Sequence, residues 1–317
     1  MRYTNNKPIR LIELFAGIGS QAKALENLGV DFEHWRVCEF DKHAINSYNA
    51  VHGTNFTTSD ITKLTANDLS ITDTEHFTYL LTYSFPCQDL SNAGKGRGME
   101  KGSGTRSGLL WEVERLLNEC DELPQVLLME NVPQVHGKKN KEHFDKWIDF
   151  LTSKGYSNFW QDLNAKNYGI PQSRDRCFMV SILGEFSYEF PKPIPLTLKL
   201  GDMLEKDVDE KYYLSDRHIE SISNWKAQQR PLSRVLGNNS ISPTLTARGP
   251  GENHSGMVLL SEELADTCNL EQQGCIVSQQ GKKIDKLTDV AATLMARDYK
   301  GFGNQRMTGV IEITKER

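Results

Sequence analysis

Residues 11–20 read LIELFAGIGS, and this stretch decides the fold class. A mostly apolar, strand-like run from Leu11 to Phe15 passes into a turn that contains Gly17 and Gly19, and a helical pattern follows. Glycine in such a turn lets the backbone approach a ligand at the point where the strand order of a doubly wound sheet reverses. We therefore predict a nucleoside-type binding site at the end of the first strand.

The rest of the first half alternates strand patterns with helical patterns, which is typical of parallel strands joined by helical crossovers. The strand candidates are residues 10–15, 33–39, 79–84, 125–131, 159–163 and 177–182, and the helix candidates are residues 21–27, 42–51 and 108–120. A short, turn-rich segment separates the last two strands and predicts an antiparallel hairpin at the sheet edge. The sequence thus predicts an α/β fold with a doubly wound, Rossmann-like sheet.

The character of the sequence changes after the proline-rich stretch PKPIPL at residues 191–196. We place a domain boundary there, with a catalytic domain at 1–195 and a smaller, irregular, β-rich domain at 196–317. In the second part, SPTLTARGPGENHSGMVL (242–259) is echoed by AATLMARDYKGFGNQRMTGVI (291–311). This echo predicts an internal repeat, and two unrelated β-hairpins are the alternative.

Composition sets broad limits on the class of protein. Contents of 38% hydrophobic, 9% aromatic and 25% charged residues are those of a soluble globular protein. A net charge of -5 does not by itself indicate a nucleic-acid partner, because a nonspecific binder usually carries a basic excess. The start, MRYTNNKPIR, lacks a signal-peptide pattern, and no apolar run is long enough for a bilayer, so we expect a cytoplasmic protein with no membrane contact. Six cysteines without a CxxC pair predict free thiols and no metal site.

Two acidic residues follow the glycine turn at positions suited to a nucleoside. Glu39 ends the next predicted strand, about twenty residues on, where a doubly wound domain places a carboxylate on ribose hydroxyls. Asp60, followed by Ile61, could accept a hydrogen bond from an adenine amino group. The turn lacks the third glycine of the dinucleotide motif and has no phosphate-binding lysine, so an adenosyl ligand without phosphates fits better than a dinucleotide.

The stretch SFPCQDLSNAGKGRG (84–98) places Cys87 at the carboxyl end of a predicted strand, beside a glycine-rich, basic loop. A buried structural thiol is the usual interpretation of a lone cysteine. Here the position at the ligand-binding edge of the sheet favours a reactive thiol instead. The loop that follows could close over a phosphate backbone.

Two later stretches bring further polar residues to the same region. QVLLMENVP (125–133) delivers Glu130 to that edge, where it could act as an acid, and a capping or salt-bridged glutamate is the alternative. YGIPQSRDRCFMV (168–180) has Gln172, Arg174 and Arg176 at alternating positions, which share one face if the segment is extended. Arginines on the surface of a hairpin are the alternative.

In this order, FAGIGS, the two acids, FPCQ, MENVP and QSRDR resemble the motif set of DNA (cytosine-5) methyltransferases, over the first 180 residues. The resemblance implies transfer of a methyl group from S-adenosylmethionine to C5 of a flipped cytosine in double-stranded DNA, through a covalent Cys87 adduct. It also implies that the second domain reads the DNA target. A non-catalytic subunit that binds cofactor or DNA, an RNA cytosine methyltransferase and a nicotinamide-dependent enzyme are the alternatives.

The resemblance implies a role for each matching residue. Cys87 is the nucleophile, Glu130 holds the N3 edge of the base, and Arg174 and Arg176 are the arginines of the site, with Arg176 at the base O2. The implied cofactor-binding residues are Phe15, Ala16, Gly17, Ile18, Gly19, Glu39, Phe40, Asp60, Ile61, Pro86 and Leu109. The implied DNA-binding residues are Gln88, Ser91, Lys95, Arg97, Gln172, Arg248 and Arg297.

The sequence departs from the family pattern at two places. Ser20 stands where the first motif usually has its second glycine, and the family's later Gly-Asn-Ser motif is not found. The candidate Phe302-Gly303-Asn304 lies inside the second repeat copy and has no amphipathic helix after it. We therefore expect a split enzyme whose second polypeptide supplies the segment, or a truncated gene, with an unusual self-sufficient form as the third possibility.

Overall fold

The computed structural model describes residues 4–90 and 98–204, together with Ile241 and five short strands further along the chain. The chain divides into two compact units. The first unit comprises Met1–Leu163 and Asp175–Pro191, and the second comprises Asn164–Arg174 and Lys192–Arg317. Each unit is therefore assembled from two separate stretches of sequence.

A six-stranded sheet forms the centre of the first unit. Its strands are β1 (Ile9–Leu14), β2 (Phe32–Cys38), β3 (Thr78–Tyr83), β4 (Val126–Asn131), β5 (Tyr156–Asn164) and β6 (Asp175–Leu183). The strand order is β2-β1-β3-β4-β6-β5, so the order reverses between β1 and β3. Strands β1 to β4 pair in parallel, whereas β6 runs antiparallel to β4. The predicted doubly wound α/β fold is confirmed, and β5 lies at the edge beside β6 as expected.

Five α-helices connect the strands of this unit in the part of the chain that the structure describes. They are α1 (Ser20–Asn27), α2 (Lys42–His52), α3 (Ala66–Leu69), α4 (Leu110–Glu119) and α5 (Lys141–Ser153). Helix α2 shows how local sequence sets the bounds, because the Asp41 carboxylate accepts hydrogen bonds from the first helical N–H groups and Gly53 ends the helix with a φ of 64°. The predicted helix at 108–120 begins at Leu110, after a short 3₁₀ turn at Ser107–Leu109.

The core lies on both faces of the central strands. In β3 almost every residue is buried, as expected for a parallel strand that is covered by helices on each side. Trp147 of α5 packs against this strand, and its indole N–H donates a hydrogen bond to the Tyr83 hydroxyl at 3.1 Å. Helix α5 was not predicted, although its buried Phe144, Trp147 and Leu151 stand at helical spacing. The central strands thus form a rigid platform for the loops at their carboxyl ends.

The described residues of the second unit include five short strands. They are β7 (Val235–Leu236), β8 (Val258–Leu260), β9 (Cys275–Val277), β10 (Lys283–Lys286) and β11 (Glu312–Ile313). Strands β9 and β10 pair antiparallel, and β8 pairs in parallel with β7 and β11. The predicted repeat lies almost entirely outside the described residues, so the repeat and the boundary at 195/196 stay predictions. No helix among the described residues has the length and apolar character needed to cross a membrane.

Candidate active site

The loop at residues 15–19 follows β1 at the point where the strand order reverses. Phe15, Gly17 and Gly19 all have positive φ, at 60°, 58° and 81°. A Cβ atom at Gly19 would lie 2.3 Å from His52 Nε2 and 2.7 Å from Tyr48 Cε2, whereas one at Gly17 would have nothing within 4 Å. Gly19 is therefore required by packing as well as by conformation. Gly17 is required by conformation alone, and it borders open space.

Glu39, directly after β2, holds this loop. One carboxylate oxygen accepts a hydrogen bond from Gly17 N at 2.8 Å, and the other accepts one from Asp41 N at 2.7 Å. The Ala16 N–H donates to the Cys38 carbonyl at 3.1 Å and fixes the loop from the other side. An ionised carboxylate has about four acceptor positions, so Glu39 can still accept hydrogen bonds from the hydroxyls of a ligand.

The surroundings of the loop fit an adenosyl group. Ile18 and Phe40 are 55% and 78% exposed, so two apolar side chains are available to a flat ring at this edge. Residues 15–19, 39–40 and 60–61 contain no lysine or arginine, which fits a ligand without phosphates. Asp60 accepts hydrogen bonds from the Thr62 hydroxyl and N–H, which lower the pKa of its carboxyl and keep it an acceptor. Ile61 is buried in the core, so only its backbone remains for a ligand.

Hydrogen bonds to its backbone carbonyl groups hold the turn that carries Cys87. The Phe85 carbonyl accepts a hydrogen bond from Asn131 Nδ2 at 3.0 Å, and the Pro86 carbonyl accepts one from Ser107 Oγ at 2.6 Å. The Cys87 carbonyl accepts one from Leu90 N at 3.1 Å. Three successive carbonyls are thus hydrogen-bonded, two of them to other segments and one within the turn. This arrangement leaves the backbone around the half-buried Cys87 little freedom to move.

Residues 105–109 also form hydrogen bonds to the turn that carries Cys87. Only Leu109 of this segment was predicted from the sequence to belong to the site. Ser107 is fully buried, and its hydroxyl also accepts a hydrogen bond from Asp89 N at 3.3 Å. Asp89 Oδ2 accepts one from Arg106 N at 2.9 Å, and Arg106 Nη1 donates to Gln88 Oε1 at 2.6 Å. The predicted DNA-binding residue Gln88 is therefore engaged by a neighbour within the protein. Leu109, which the resemblance assigns to the cofactor, is partly buried and packs against the core.

Glu130 and Arg176 form an ion pair at the carboxyl end of β4. Arg176 Nε lies 2.9 Å from Glu130 Oε1, and the two side chains are only 18% and 19% exposed. Because β6 runs antiparallel to β4, Arg176 near the start of β6 faces the end of β4. The sequence left two interpretations of Glu130 open, an acid in the site or a salt-bridged glutamate. The ion pair with Arg176 is compatible with both, because it lies at the strand end where the site was predicted.

The other predicted site residues are distributed differently. The shared face of Gln172, Arg174 and Arg176 was predicted on the condition that the stretch is extended. β6 begins at Asp175, and the Arg174 N–H donates to the Gln172 carbonyl at 3.1 Å, so the stretch before β6 makes a tight turn at Ser173. Five predicted DNA-binding residues lie outside the described residues and stay predictions: Ser91, Lys95, Arg97, Arg248 and Arg297.

Three other cysteines, Cys38, Cys120 and Cys177, have thiol pKa values that are raised. Burial raises the pKa of the Cys120 thiol to about 11 and that of Cys177 to about 12, with nearby acidic groups adding to both shifts. Cys38 is buried, and burial raises the pKa of its thiol as well. These three thiols are therefore poor sources of a thiolate near neutral pH.

The comparisons with known proteins agree with this geometry. The family described as C-5 cytosine-specific DNA methylase matches residues 9–295. The orphan methyltransferase M.SssI of Spiroplasma monobiae is 34% identical, with 77% of this chain and 80% of the relative covered. The type II methyltransferase M2.ScrFI of Lactococcus lactis subsp. cremoris is 32% identical, with 67% and 71% covered.

Solved structures show the same fold. The Dnmt2 methyltransferase of S. pombe is 24% identical with a TM-score of 0.58, and the similarity covers 78% of this chain and 74% of that chain. The methyltransferase EhMeth of Entamoeba histolytica is 18% identical with a TM-score of 0.60, covering 76% and 72%.

The sheet order and the solved structures define a Rossmann-like fold. The family match adds that the protein is a methyltransferase that uses S-adenosylmethionine. Within that class, the match over residues 9–295 and the relatives above 30% identity are decisive. The chain belongs to the C-5 cytosine-specific DNA methylase family.

Proposed function

We propose that this chain methylates C5 of cytosine in double-stranded DNA through a covalent bond between Cys87 Sγ and cytosine C6. The observation that carries the proposal is the Cys87 turn, whose three successive carbonyls are all hydrogen-bonded. One of these bonds comes from Asn131, the residue after Glu130, so the turn and the Glu130–Arg176 pair are built on the same strand end. A nucleophile and a charged pair with donor and acceptor atoms thus occupy neighbouring strand ends.

The chemistry explains why these residue types are needed. Cytosine C5 is a weak nucleophile, so the Cys87 thiolate first adds to C6 and the displaced electron pair makes C5 nucleophilic. S-adenosylmethionine, when bound, would supply the methyl group to C5 and would leave as S-adenosylhomocysteine. Loss of the C5 proton then expels the Cys87 thiolate and restores the ring double bond. The complete cycle regenerates the Cys87 thiolate, as a catalyst requires.

Negative charge develops on the cytosine ring when the thiolate adds, and the Glu130–Arg176 pair stabilises it. A cytosine edge that enters between the two side chains can place N3 at Glu130 and O2 at Arg176. A preorganised donor at a developing charge is typically worth about 3 kcal/mol in the transition state. Both side chains are largely shielded from water, which strengthens that interaction.

The target base must leave the DNA stack to reach this position. Cys87 is half-buried at a strand end, and a stacked cytosine cannot approach it edge-on. Flipping the base out costs a few kcal/mol, which contacts in the site must offset. The loop after Cys87, predicted to close over the DNA, lies largely outside the described residues.

The decisive experiment uses a DNA duplex with 5-fluorocytosine, whose fluorine blocks the final elimination. The full chain is incubated with this duplex and S-adenosylmethionine, and a denaturation-resistant protein–DNA adduct is expected. Cys87→Ser should abolish the adduct, whereas Cys120→Ser, a control at another half-buried thiol, should retain it. An adduct that persists in Cys87→Ser would overturn the proposal.

Two further arms separate the alternatives. An RNA duplex of the same sequence tests the substrate class, and an adduct with RNA but not with DNA would replace DNA as the substrate. Absence of any adduct, with S-adenosylmethionine and DNA both measurably bound, would favour a non-catalytic chain that needs a second polypeptide.

A further inference from the structure

Glu26, His34 and His52 come from three different elements and meet behind the loop at residues 15–19. Glu26 lies in α1, His34 in β2 and His52 at the end of α2. Each offers one donor atom, and these atoms all lie within 4.8 Å of one another. His52 Nδ1 is 2.7 Å from Glu26 Oε1, and the two imidazole ring centres are 5.2 Å apart. The proposed methyl transfer uses none of these side chains.

Each histidine already uses one ring nitrogen outside this group. The Tyr48 hydroxyl donates to Glu13 Oε2 at 2.6 Å, so it accepts a hydrogen bond from His34 Nδ1, which lies 2.7 Å away. His52 Nε2 lies 3.2 Å from the Ile18 carbonyl, which can only accept. A neutral His34 therefore keeps its lone pair on Nε2, whereas His52 Nδ1 donates to the Glu26 carboxylate at 2.7 Å and would exchange that proton for a metal ion.

This is the pattern of histidines that bind metal ions. A metal-ligating imidazole usually donates its other ring N–H to a carbonyl or to a group linked to a carboxylate, which fixes the tautomer and the ring orientation. Here His52 donates to the Ile18 carbonyl, and His34 donates to Tyr48, which is linked to Glu13. The supporting contacts of a metal site are thus present before any ion binds.

Charge and burial are also suitable. The His52 side chain is fully buried, while Glu26 is 31% exposed, so a water molecule can reach the open side of the group. Burial lowers the pKa of His34, which favours the neutral ring that a metal requires. Hydrogen bonds from Lys23 and His52 lower the pKa of Glu26 to about 2, so its carboxylate is ionised.

We propose that Glu26, His34 and His52 form a binding site for a divalent first-row transition metal ion. Two imidazole nitrogens, one carboxylate oxygen and a water molecule match the preferred coordination of Zn²⁺, whereas Mg²⁺ and Ca²⁺ prefer oxygen ligands. The ion replaces one proton on His52, and His52 Nε2 keeps its bond to the loop.

The test is a titration of the metal-stripped full chain with Zn²⁺ alone, in competition with a coloured chelator. Wild type should take up one ion at this site. Glu26→Gln and His34→Gln should each weaken binding by at least about 10-fold, because each removes a ligand. Glu26→Gln also removes the carboxylate partner of the buried His52, so its Zn²⁺ affinity is compared with that of wild type only after circular dichroism shows the same fold in the absence of metal.

A second group needs a matched control, because His136, Asp162 and Cys177 also bring donor atoms within 4.8 Å of one another. Asp162→Asn should leave the Zn²⁺ affinity unchanged if the ion binds at Glu26, His34 and His52. With Co²⁺ in place of Zn²⁺, a sulfur-to-metal absorption band would reveal binding at Cys177. The proposal is overturned by absent Zn²⁺ binding, by binding that survives both Glu26→Gln and His34→Gln, or by binding that only Asp162→Asn removes.

Discussion

The loop at residues 15–19 and the turn at Cys87 lie at the same edge of one sheet but are held in opposite ways. The loop depends on backbone shape, with three positive φ angles and a glycine that has no room for a side chain. The turn depends on buried side chains, because Asn131 and Ser107 donate to its carbonyl groups. Substitutions should therefore damage the loop through steric clash and the turn through unpaired polar groups.

The largest effect is expected from added volume in the loop. Gly19→Ala must displace the Tyr48 and His52 rings and also adopt a left-handed backbone conformation, which together cost several kcal/mol. We expect a loss of S-adenosylmethionine affinity of about 100-fold or more, with a lower melting temperature. Isothermal titration calorimetry and thermal denaturation measure the two effects.

Gly17→Ala is the matched control for this prediction, because it carries the conformational cost without the clash. That cost is about 1–2 kcal/mol, so the affinity should fall by roughly 5- to 30-fold. Equal losses from the two substitutions would contradict the distinction between packing and conformation at these glycines.

A smaller effect is expected at the turn. Ser107→Ala leaves the Pro86 carbonyl without its donor and Asp89 N without its acceptor, at a cost of about 1–3 kcal/mol. We expect kcat to fall by roughly 10-fold while S-adenosylmethionine affinity stays the same, because the loop at residues 15–19 is held independently. Steady-state kinetics and calorimetry separate the two quantities.

The control for Ser107 is Ser153→Ala, which removes an exposed hydroxyl that bonds the Phe150 carbonyl within α5. It should leave kcat unchanged. If Ser107→Ala instead weakened S-adenosylmethionine binding and left kcat intact, the assignment of Ser107 to the catalytic turn would be wrong.

The smallest effect is a dependence of stability on pH at Glu13, beneath the loop. Burial raises the pKa of this carboxyl above its ordinary value near 4.5, although hydrogen bonds from Tyr48 and Ala22 oppose the shift. Glu13 therefore stabilises the fold fully below its unfolded pKa, and this contribution is lost as pH rises through the raised value. Urea denaturation of wild type and Glu13→Gln between pH 4.5 and 8 should show a steeper decline for wild type. The same pH dependence in wild type and Glu13→Gln would contradict a raised pKa for the buried Glu13 carboxyl.

Local patterns predicted most of the first unit. The first four strands match their predicted bounds to within one residue at each end, because apolar runs that end in glycine or polar residues are a local signal. Helix α5 was missed even though Phe144, Trp147 and Leu151 carry the same kind of signal. The sequence of the first unit therefore contains local signals for its strands and also for α5, the helix that was not predicted.

The site was only partly predictable. Cys87 and Glu39 follow strands and Glu130 stands near the end of β4, so their location at one edge follows from parallel topology. The hydrogen bond from Ser107 to Pro86 depends on where the chain returns after the intervening loop, and no local pattern encodes that return. The pairing of Glu130 with Arg176 likewise depends on the register of β6 against β4. Sequence patterns could not predict these contacts, because they depend on how distant segments align in the folded chain.

The divided second unit limits how relatives can exchange parts by genetic recombination. Its two pieces, Asn164–Arg174 and Lys192–Arg317, are separated in the gene by the interval Asp175–Pro191. A crossover at Lys192 would transfer the unit without its first piece. A crossover at Asn164 would transfer the whole unit but would also replace β6 and Arg176, the partner of Glu130. A chimaera that inherits an intact second unit from one parent therefore inherits Arg176 from that parent too. Its Glu130–Arg176 pair then joins residues from two parents.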